Sequence, residues 1–511
     1  MCYTKTKDAK DRAHNPCYAC HNRNIPPNYV MEDEQLQAAY DFPAPALKNP
    51  FSNLFKDFSQ DIAHISDREI IEYVDRSNYF DTKGEIVLAK KLRHLSEDWD
   101  LDGDGKWSGF VPDCYYRFNR KGFDRDPKGT PTGWVAFAYA PFLGTFWPTN
   151  GSTDDVLIRL PQAFRSAEDS DEFNATIYRV NLAIVEALVK RRSIAIDAVD
   201  EKRLGVDLDK DGVLDTATQI TFDWAPKEGR TMSYVGKARQ WLKEGKVHLA
   251  AGLFPEGTEF LHSVRYIRSD RDGQIALAPR MKELRYAKKV AWLSYADLKN
   301  KGLSDLREQD TDPDRLETFR GNMERGLGNG LGWIYQGFIE DAEGELRPQS
   351  YEETLNCMGC HSGHTAITDS IFSFPRKLDG WRHGWYHWSQ KDLKGTPEPR
   401  YRDGTWEYTN YLRLNGAGDE FRANEEVKRR FFTSTNELNQ SAIERLHDDV
   451  TTLLYPSHRR ALKLDKAYRA LVKTQRFIEG RAAHIEPLDR TVHQEVEEGE
   501  PTGNEIYLLP N

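Results

Sequence analysis

Apolar residues recur with two spacings along the 511-residue chain, and the spacing distinguishes helices from strands. Apolar positions three and four residues apart lie on one face of a helix. This pattern predicts helices over residues 67–74, 84–95, 174–190 and 457–480. Ser457 is expected to cap the last of them, because a serine side chain accepts a hydrogen bond from a free N–H group of the first turn.

The strand signals take the form of hairpins. Residues 260–267 and 274–277 flank the polar turn Ser269-Asp270-Arg271-Asp272-Gly273, and a second hairpin joins residues 333–339 to Leu346. We therefore expect an α+β protein with mainly helical regions at both ends and a mixed, loop-rich central region that contains hairpins. The expected domains are residues 1–95, 96–335 and 336–511.

Two copies of the pattern C-x-x-C-H lie near opposite ends of the chain. They consist of Cys17, Cys20 and His21, and of Cys357, Cys360 and His361. Two thiols three positions apart each form a thioether with a haem, and the next residue then offers its imidazole to the iron. The pattern predicts covalent haem c at both places, with the two histidines as proximal iron ligands.

A zinc site built from the four cysteines and a redox dithiol are the alternatives, since C-x-x-C serves both. Neither explains the histidine that follows each pair. On these two motifs the chain resembles the multihaem c-type cytochromes. The resemblance implies two covalently bound haem c groups, redox activity and assembly outside the cytoplasm, and it makes the two terminal regions haem-binding regions.

If the haem iron is six-coordinate, the protein must also supply a distal ligand on the side opposite the proximal histidine. No methionine follows His361, and Met31 lies only ten residues after His21, so histidine is favoured over methionine. The distal candidates are His383 and His387 for the second haem and His14, His64 and His94 for the first. A ligand from a distant segment, such as His248 or His262, is an alternative.

Alternating aspartates followed by glycine occur twice and are typical of the first half of a calcium-binding EF-hand loop. The candidate ligands are Asp100, Asp102 and Asp104 in one copy and Asp207, Asp209, Asp211 and Asp215 in the other. The twelfth position holds Val111 and Thr218 instead of glutamate. If calcium binds, a bidentate ligand must therefore come from elsewhere; otherwise the loops are simple turns.

Composition indicates a soluble protein without a basic face. The formal net charge is −10, which argues against nucleic acid as a partner. No apolar run reaches the roughly 18 residues of a transmembrane helix. Covalent haem implies a periplasmic or extracellular location, although the chain opens Met1-Cys2-Tyr3 without a signal peptide. Cys2 and Cys114 pair as a disulfide or remain thiols, and a lipid on Cys2 is a further alternative.

We interpret the chain as an exported dihaem cytochrome that relays electrons to redox partner proteins, other cytochromes among them. The alternative is a dihaem oxidoreductase, peroxidase- or oxygenase-like, with one open iron and with Arg376, Arg382 or His383 as distal acid or base. A third interpretation is a structural or docking subunit with calcium-stiffened loops. The sequence specifies no oligomeric state.

Overall fold

The structure is a computed structural model. It describes residues 43–499 except 271, 273, 363–367, 402, 417–423 and 487–493, and the two short strands Thr6–Lys7 and Ala13–His14. The first C-x-x-C-H motif, with Cys17, Cys20 and His21, and also Cys2, lie outside the described residues. Of His14, only its place at the end of a strand is described.

The α-helices of the described residues are α1 (Ser59–Ala63), α2 (Asp67–Val74), α3 (Val87–Lys91), α4 (Ala175–Lys190), α5 (Glu201–Leu204), α6 (Lys237–Lys243), α7 (Tyr295–Thr311), α8 (Tyr351–His361), α9 (Glu407–Asn415), α10 (Glu425–Phe431), α11 (Gln440–Asp448), α12 (Thr451–Leu454) and α13 (His458–Thr474). The strands are β1 (Thr6–Lys7), β2 (Ala13–His14), β3 (Phe123–Arg125), β4 (Pro131–Phe137), β5 (Thr153–Asp154), β6 (Val156–Arg159), β7 (Ile194–Asp200), β8 (Thr216–Ile220), β9 (Glu259–Ser269), β10 (Ile275–Lys289), β11 (Arg320–Asn322), β12 (Gly326–Gly328), β13 (Trp333–Glu340) and β14 (Leu346–Pro348).

One ten-stranded antiparallel sheet organises the molecule. Its main path runs β11-β12-β13-β10-β9-β6-β4-β3, with β14 paired to β13 and β5 paired to β9. The long hairpin of β9 and β10 forms its centre, and Leu261 pairs with Tyr286 there. Strands β7 and β8 form a separate two-stranded sheet. Because the pairing is antiparallel, short connections suffice for β3–β4, β9–β10 and β13–β14.

The large sheet buries side chains on both faces, since neighbouring residues of a strand point to opposite sides. On β4, Val135 and Phe137 join the core around α4, whereas Trp134 and Ala136 join a second core with residues of β9, β10 and β13. Asn174 caps α4 by accepting from the backbone N–H of Thr176, and nearly the whole helix is buried. Burial of each large aliphatic side chain contributes about 1.5–3 kcal/mol, so α4 anchors one face of the sheet.

Helices from both ends of the described chain meet on the sheet. α13 packs against α1, α2 and β9, and Leu471 and Val472 are completely buried there. α9 to α12 form another core with the segment 142–147. A hydrophobic core thus links the N-terminal and C-terminal segments.

The structure confirms several local predictions and corrects the fold class. α2 has the predicted bounds, α4 matches its predicted stretch, and Ser457 caps α13. α13 ends at Thr474 instead of Gly480, because the next residue, Gln475, adopts a left-handed conformation. Both hairpins are present, whereas the helix expected over 84–95 is limited to α3. The expectation of mainly helical haem-binding ends around a loop-rich centre is wrong, because an extensive antiparallel sheet with helices packed on it dominates. Strand β13 runs through the predicted domain boundary at 335/336.

Among the described residues, the helices are too short or too polar to cross a membrane.

Candidate functional site

Helix α8 carries the second C-x-x-C-H motif at its C-terminal end. Ser350 fixes the start of the helix by accepting a hydrogen bond from the backbone N–H of Glu353, whose carboxylate accepts in return from the N–H of Ser350. The helix ends at His361. Cys357 and Cys360 lie on one face, because residues three apart on a helix are neighbours.

The imidazole of His361 is held in one tautomer. Its Nδ1 lies 2.7 Å from the backbone carbonyl oxygen of Ser370, and a carbonyl only accepts hydrogen bonds, so Nδ1 carries the proton. The ring lone pair is therefore on Nε2, which is the nitrogen that remains for a metal ion. Burial lowers the pKa of His361 to about 4, so the imidazole is neutral at pH 7, as a metal ligand must be.

The groups around His361 hold it in place. The hydroxyl of Tyr335 donates to the same carbonyl of Ser370 at 3.1 Å, and Asn329 Nδ2 donates to the carbonyl of His361 at 2.9 Å. The rings of Tyr335 and Phe372 have their centroids 4.6 and 5.3 Å from that of the imidazole. This arrangement of two thiols and one oriented, neutral imidazole fits covalent haem attachment at α8.

The environment of Cys357 argues against a redox dithiol. Burial raises the pKa of this thiol above its ordinary value, although Arg285 and Arg481 act in the opposite direction. Both arginines pair with the buried carboxylate of Glu283, at 3.0 and 2.9 Å. A reactive dithiol needs a lowered thiol pKa, which this surrounding does not provide.

The predicted distal histidines are dispersed. The ring nitrogens of His387 both have partners, with Nδ1 2.7 Å from Ser389 Oγ and Nε2 3.1 Å from Asp155 Oδ2. His383 Nε2 lies 3.4 Å from Asp197. His64 and His94 are exposed at the ends of α1 and α3. Among the described contacts, none joins these four side chains to His361.

The two alternative histidines also have other partners. His262 Nε2 lies 3.6 Å from Asp154, and burial lowers the pKa of His262 to about 4. His248 forms an ion pair with Glu256 and stacks on Trp292 with a centroid distance of 4.4 Å. None of these partners belongs to α8.

The second aspartate loop receives a carboxylate from outside the predicted pattern. Oxygens of Glu201, Asp207 and Asp209 all lie within 4.8 Å of one another. Glu201 is completely buried, and its carboxylate accepts hydrogen bonds from the backbone N–H groups of Leu208 and Asp215 at 2.5 and 3.1 Å. Burial and then the neighbouring carboxylates raise the pKa of Asp209. Oxygen ligands in this number and charge suit Ca²⁺.

Asp211 and Asp215 do not belong to that carboxylate cluster. Asp211 instead caps the turn by accepting from the backbone N–H of Val213 at 2.8 Å. Asp207 accepts from the N–H groups of Lys210 and Gly212, whose positive φ angles of 64° and 88° fold the loop tightly. The antiparallel pair β7–β8 closes the loop by pairing Asp200 with Thr216.

The first aspartate loop also gathers its carboxylates. Oxygens of Asp100, Asp102 and Asp104 lie within 4.8 Å of one another, and Asp100 Oδ1 is buried without a hydrogen-bond partner. Asp102, however, already has a cation, because Arg325 donates to it at 2.9 Å. No buried glutamate belongs to this described cluster.

Comparison with known proteins decides the family. A family model described as "-like lipoprotein" matches residues 1–449. A protein of Aquifex aeolicus (strain VF5) named "Uncharacterized lipoprotein" is 30% identical over 532 aligned residues, which cover 94% of this chain and 84% of that protein. No solved structure gives a significant match. The chain belongs to this lipoprotein family.

Membership of the lipoprotein family corrects the functional interpretation. The matched family is not a family of cytochromes c, and no haem-binding family is among the matches. The resemblance to multihaem cytochromes is therefore misleading, and the predicted roles as electron relay or dihaem oxidoreductase are wrong. Short motifs carried that interpretation, whereas the family match extends over most of the chain. A lipoprotein family indicates an exported, membrane-anchored protein, which agrees with the predicted location outside the cytoplasm.

Sequence reasoning missed two groups that define these sites in the lipoprotein. Glu201 precedes its loop by six positions, and only the return of the chain through β8 brings Asp215 onto it. Ser370 follows His361 by nine positions and offers a backbone carbonyl, which no residue type reveals. The missing glutamate at the twelfth loop position was the one available signal for Glu201.

Proposed function

We propose that this lipoprotein is a docking or binding protein outside the cytoplasm, with a body that calcium stabilises at residues 201–215. One observation carries the proposal. The buried carboxylate of Glu201 lies within 4.8 Å of those of Asp207 and Asp209, in the loop that lacks a glutamate at its twelfth position.

The electrostatics of the loop support a cation there. Three carboxylates lie within 4.8 Å, and among the described ion pairs none joins Glu201 to a lysine, arginine or histidine. Burying a carboxylate without a counter-charge is costly, so a bound cation relieves both the burial and the mutual repulsion. Oxygen ligands with net charge −3 favour the hard, flexible coordination of Ca²⁺ over transition metals.

The proposed compartment is the periplasm or the extracellular face of the membrane. Incomplete calcium loops bind with dissociation constants of about 10⁻⁴ to 10⁻³ M in extracellular modules, and calcium at such concentrations is available outside the cytoplasm. A calcium-dependent body and a lipid anchor therefore suit the same location.

Thermal unfolding of the full-length lipoprotein in detergent tests this proposal. Binding only to the folded state adds about 2.7 kcal/mol of stability at a calcium concentration of one hundred times the dissociation constant. We expect circular dichroism to show a higher unfolding temperature in calcium than in EGTA, with a smaller effect of magnesium. Superimposable unfolding curves in calcium and EGTA rule out the calcium site.

The two C-x-x-C-H motifs support a separate proposal. It concerns a bound cofactor and assigns no electron-transfer role. We propose that haem is attached at Cys357 and Cys360 with His361 as iron ligand, and at Cys17 and Cys20 with His21. The motif spacing and the tautomer of His361 support it. Such a haem supplies an iron centre, while Ser370, Tyr335 and Asn329 orient its ligand.

Acid–acetone extraction followed by a pyridine haemochrome spectrum tests the attachment. Covalent haem stays with the protein, and the double variant Cys357→Ser, Cys360→Ser is expected to halve the haem content per chain. Cys114→Ser is the matched control, because Cys114 is a buried thiol outside both motifs. A colourless protein, or one that carries zinc instead, contradicts this cofactor.

A further inference from the structure

A cavity of about 160 Å³ lies between β3, β4, α4 and β7, and none of its described lining residues belongs to the aspartate loop at 207–215 or to α8. Its inner wall is apolar and consists of Phe123, Val135, Leu182 and Trp385. The first three of these are at most 3% exposed, so the wall belongs to the packed core around α4. An apolar cavity of about 150 Å³ holds benzene, so this space admits a six-membered ring or a short alkyl chain.

The mouth of the same cavity is cationic. Arg120, Lys121, Arg179 and Arg382 line it together with His383, and Asp197 is the acidic lining residue. The chain as a whole carries a net charge of −10, so this local excess of positive charge runs against the overall composition. Clefts lined by one sign of charge, with apolar walls, concentrate ligands of the opposite sign.

Asp197 is a carboxylate that already lies among the basic side chains at the cavity mouth. It forms an ion pair with Arg179 and lies 3.6 Å from Lys121 Nζ and 3.4 Å from His383 Nε2. Burial raises the pKa of Asp197, but Arg179 and the other cations outweigh this effect and hold the pKa below its usual range. Arg382 is outside these pairs and stacks on Trp381 at 3.7 Å.

The turn that presents Arg382 and His383 is conformationally costly. Arg382, His383 and Gly384 have φ angles of 49°, 56° and 75°, and successive left-handed residues other than glycine are unfavourable. Such strain persists only where the surroundings impose it. The N–H of Ala138 donates to the carbonyl of Gly384 at 3.0 Å.

A buried lysine also holds this turn in place. The Nζ group of Lys377 donates to the carbonyl of His383 and pairs with the buried carboxylate of Glu186 at 2.9 Å. The core therefore maintains an unfavourable backbone conformation that places two basic side chains at the cavity mouth. Strained turns of this kind cluster at ligand-binding sites.

We propose that this cavity binds a small organic anion, a carboxylate with one ring or a short alkyl chain. The carboxylate lies at the mouth with Arg179 and Arg382, and the apolar part contacts Phe123, Val135 and Leu182. An inorganic anion leaves the apolar wall unused. A neutral ring makes no charge-assisted hydrogen bond with the basic side chains at the mouth.

Isothermal titration calorimetry on the full-length lipoprotein tests the proposal, with benzoate as the probe. Benzyl alcohol has nearly the same shape without the charge, and sulfate has charge without an apolar part. We expect benzoate to bind at least about tenfold more tightly than either, because charge-assisted hydrogen bonds and burial of the ring act together. No benzoate binding, or equal binding of sulfate, overturns the proposal.

Two variants with opposite expected effects identify the cavity as the binding place. Arg179→Gln is expected to weaken benzoate binding about tenfold, because it removes the cation beside the carboxylate. Asp197→Asn is expected to strengthen binding about threefold, since the competing carboxylate is gone. Misfolding does not produce a gain, so this second variant keeps the test decisive.

Arg68→Gln is the matched control. Arg68 is an exposed arginine on α2, paired with Glu72 at 2.7 Å, and the change removes the same charge far along the chain from the cavity. Its benzoate affinity is expected to equal that of the unmodified protein. Equal losses in Arg179→Gln and Arg68→Gln, or weaker binding in Asp197→Asn, refute the assignment of this cavity.

Discussion

The loops 100–105 and 207–212 share the pattern of alternating aspartates followed by glycine, yet their neighbours differ. In the second loop a buried glutamate, Glu201, joins the cluster, and no described ion pair neutralises it. In the first loop the exposed pair of Asp102 with Arg325 already provides a positive charge. The same pattern therefore presents three uncompensated carboxylates in one place and a partly neutralised set in the other.

The difference shows that cation affinity depends on the charged groups next to the aspartates as much as on the aspartates themselves. A carboxylate that joins the set adds attraction for Ca²⁺, whereas a guanidinium competes for the same oxygens. We expect the loop at 207–215 to bind calcium more tightly than the loop at 100–105. Two experiments test this ranking and a third tests Asp209 as a ligand of the second loop, and the expected effects decrease in the order given.

The largest effect is expected for Glu201→Gln. Glutamine replaces one carboxylate oxygen with an amide NH₂ group, which then faces the N–H of Leu208 or Asp215 instead of accepting from it. A buried donor without an acceptor costs about 1–3 kcal/mol. The variant also lacks one negative ligand, so EGTA is expected to shift its unfolding temperature little.

Glu228→Gln is the control for this change. Glu228 is an exposed glutamate paired with Arg230 at 2.7 Å, so its replacement should leave both the stability and the EGTA response unchanged. If calcium stabilises Glu201→Gln as strongly as it stabilises the unmodified protein, Glu201 is not a calcium ligand. The ranking of the two loops is then wrong as well.

A smaller effect is expected for Arg325→Gln in the Glu201→Gln background, where the second loop no longer dominates. Arg325 donates to Asp102 at 2.9 Å, and both side chains are solvent-exposed, so the pair adds little stability. Its removal leaves the first loop with uncompensated charge and should raise the calcium affinity about fivefold in calorimetry. Arg320→Gln, an exposed residue on β11, should leave the affinity constant. An unchanged affinity in Arg325→Gln shows that this arginine does not control the loop.

The sequence predicted what depends on neighbouring residues and missed what depends on distant ones. The apolar spacing over 67–74 gave α2, and the turn at 269–273 gave the β9–β10 hairpin, because both are local patterns. The sheet order that places β6 between β4 and β9 brings distant segments together, and no local pattern encodes it. Arg325 likewise reaches Asp102 from 223 positions away, so the sequence did not reveal that an arginine partly neutralises the first loop.

The smallest expected effect is a pH dependence of calcium binding at the second loop. Burial and the carboxylates of Glu201, Asp211 and Asp207 raise the pKa of Asp209, so this group takes up a proton at a higher pH than an ordinary aspartate. Calcium binds the deprotonated carboxylate, and the affinity must therefore fall as the pH decreases towards that raised pKa. Calorimetry at pH 7.5 and 5.5 should show weaker binding at the lower pH. Asp209→Asn removes the titrating group, so its weaker binding should depend less on pH. An affinity that is constant or rises on acidification means that Asp209 is not a ligand.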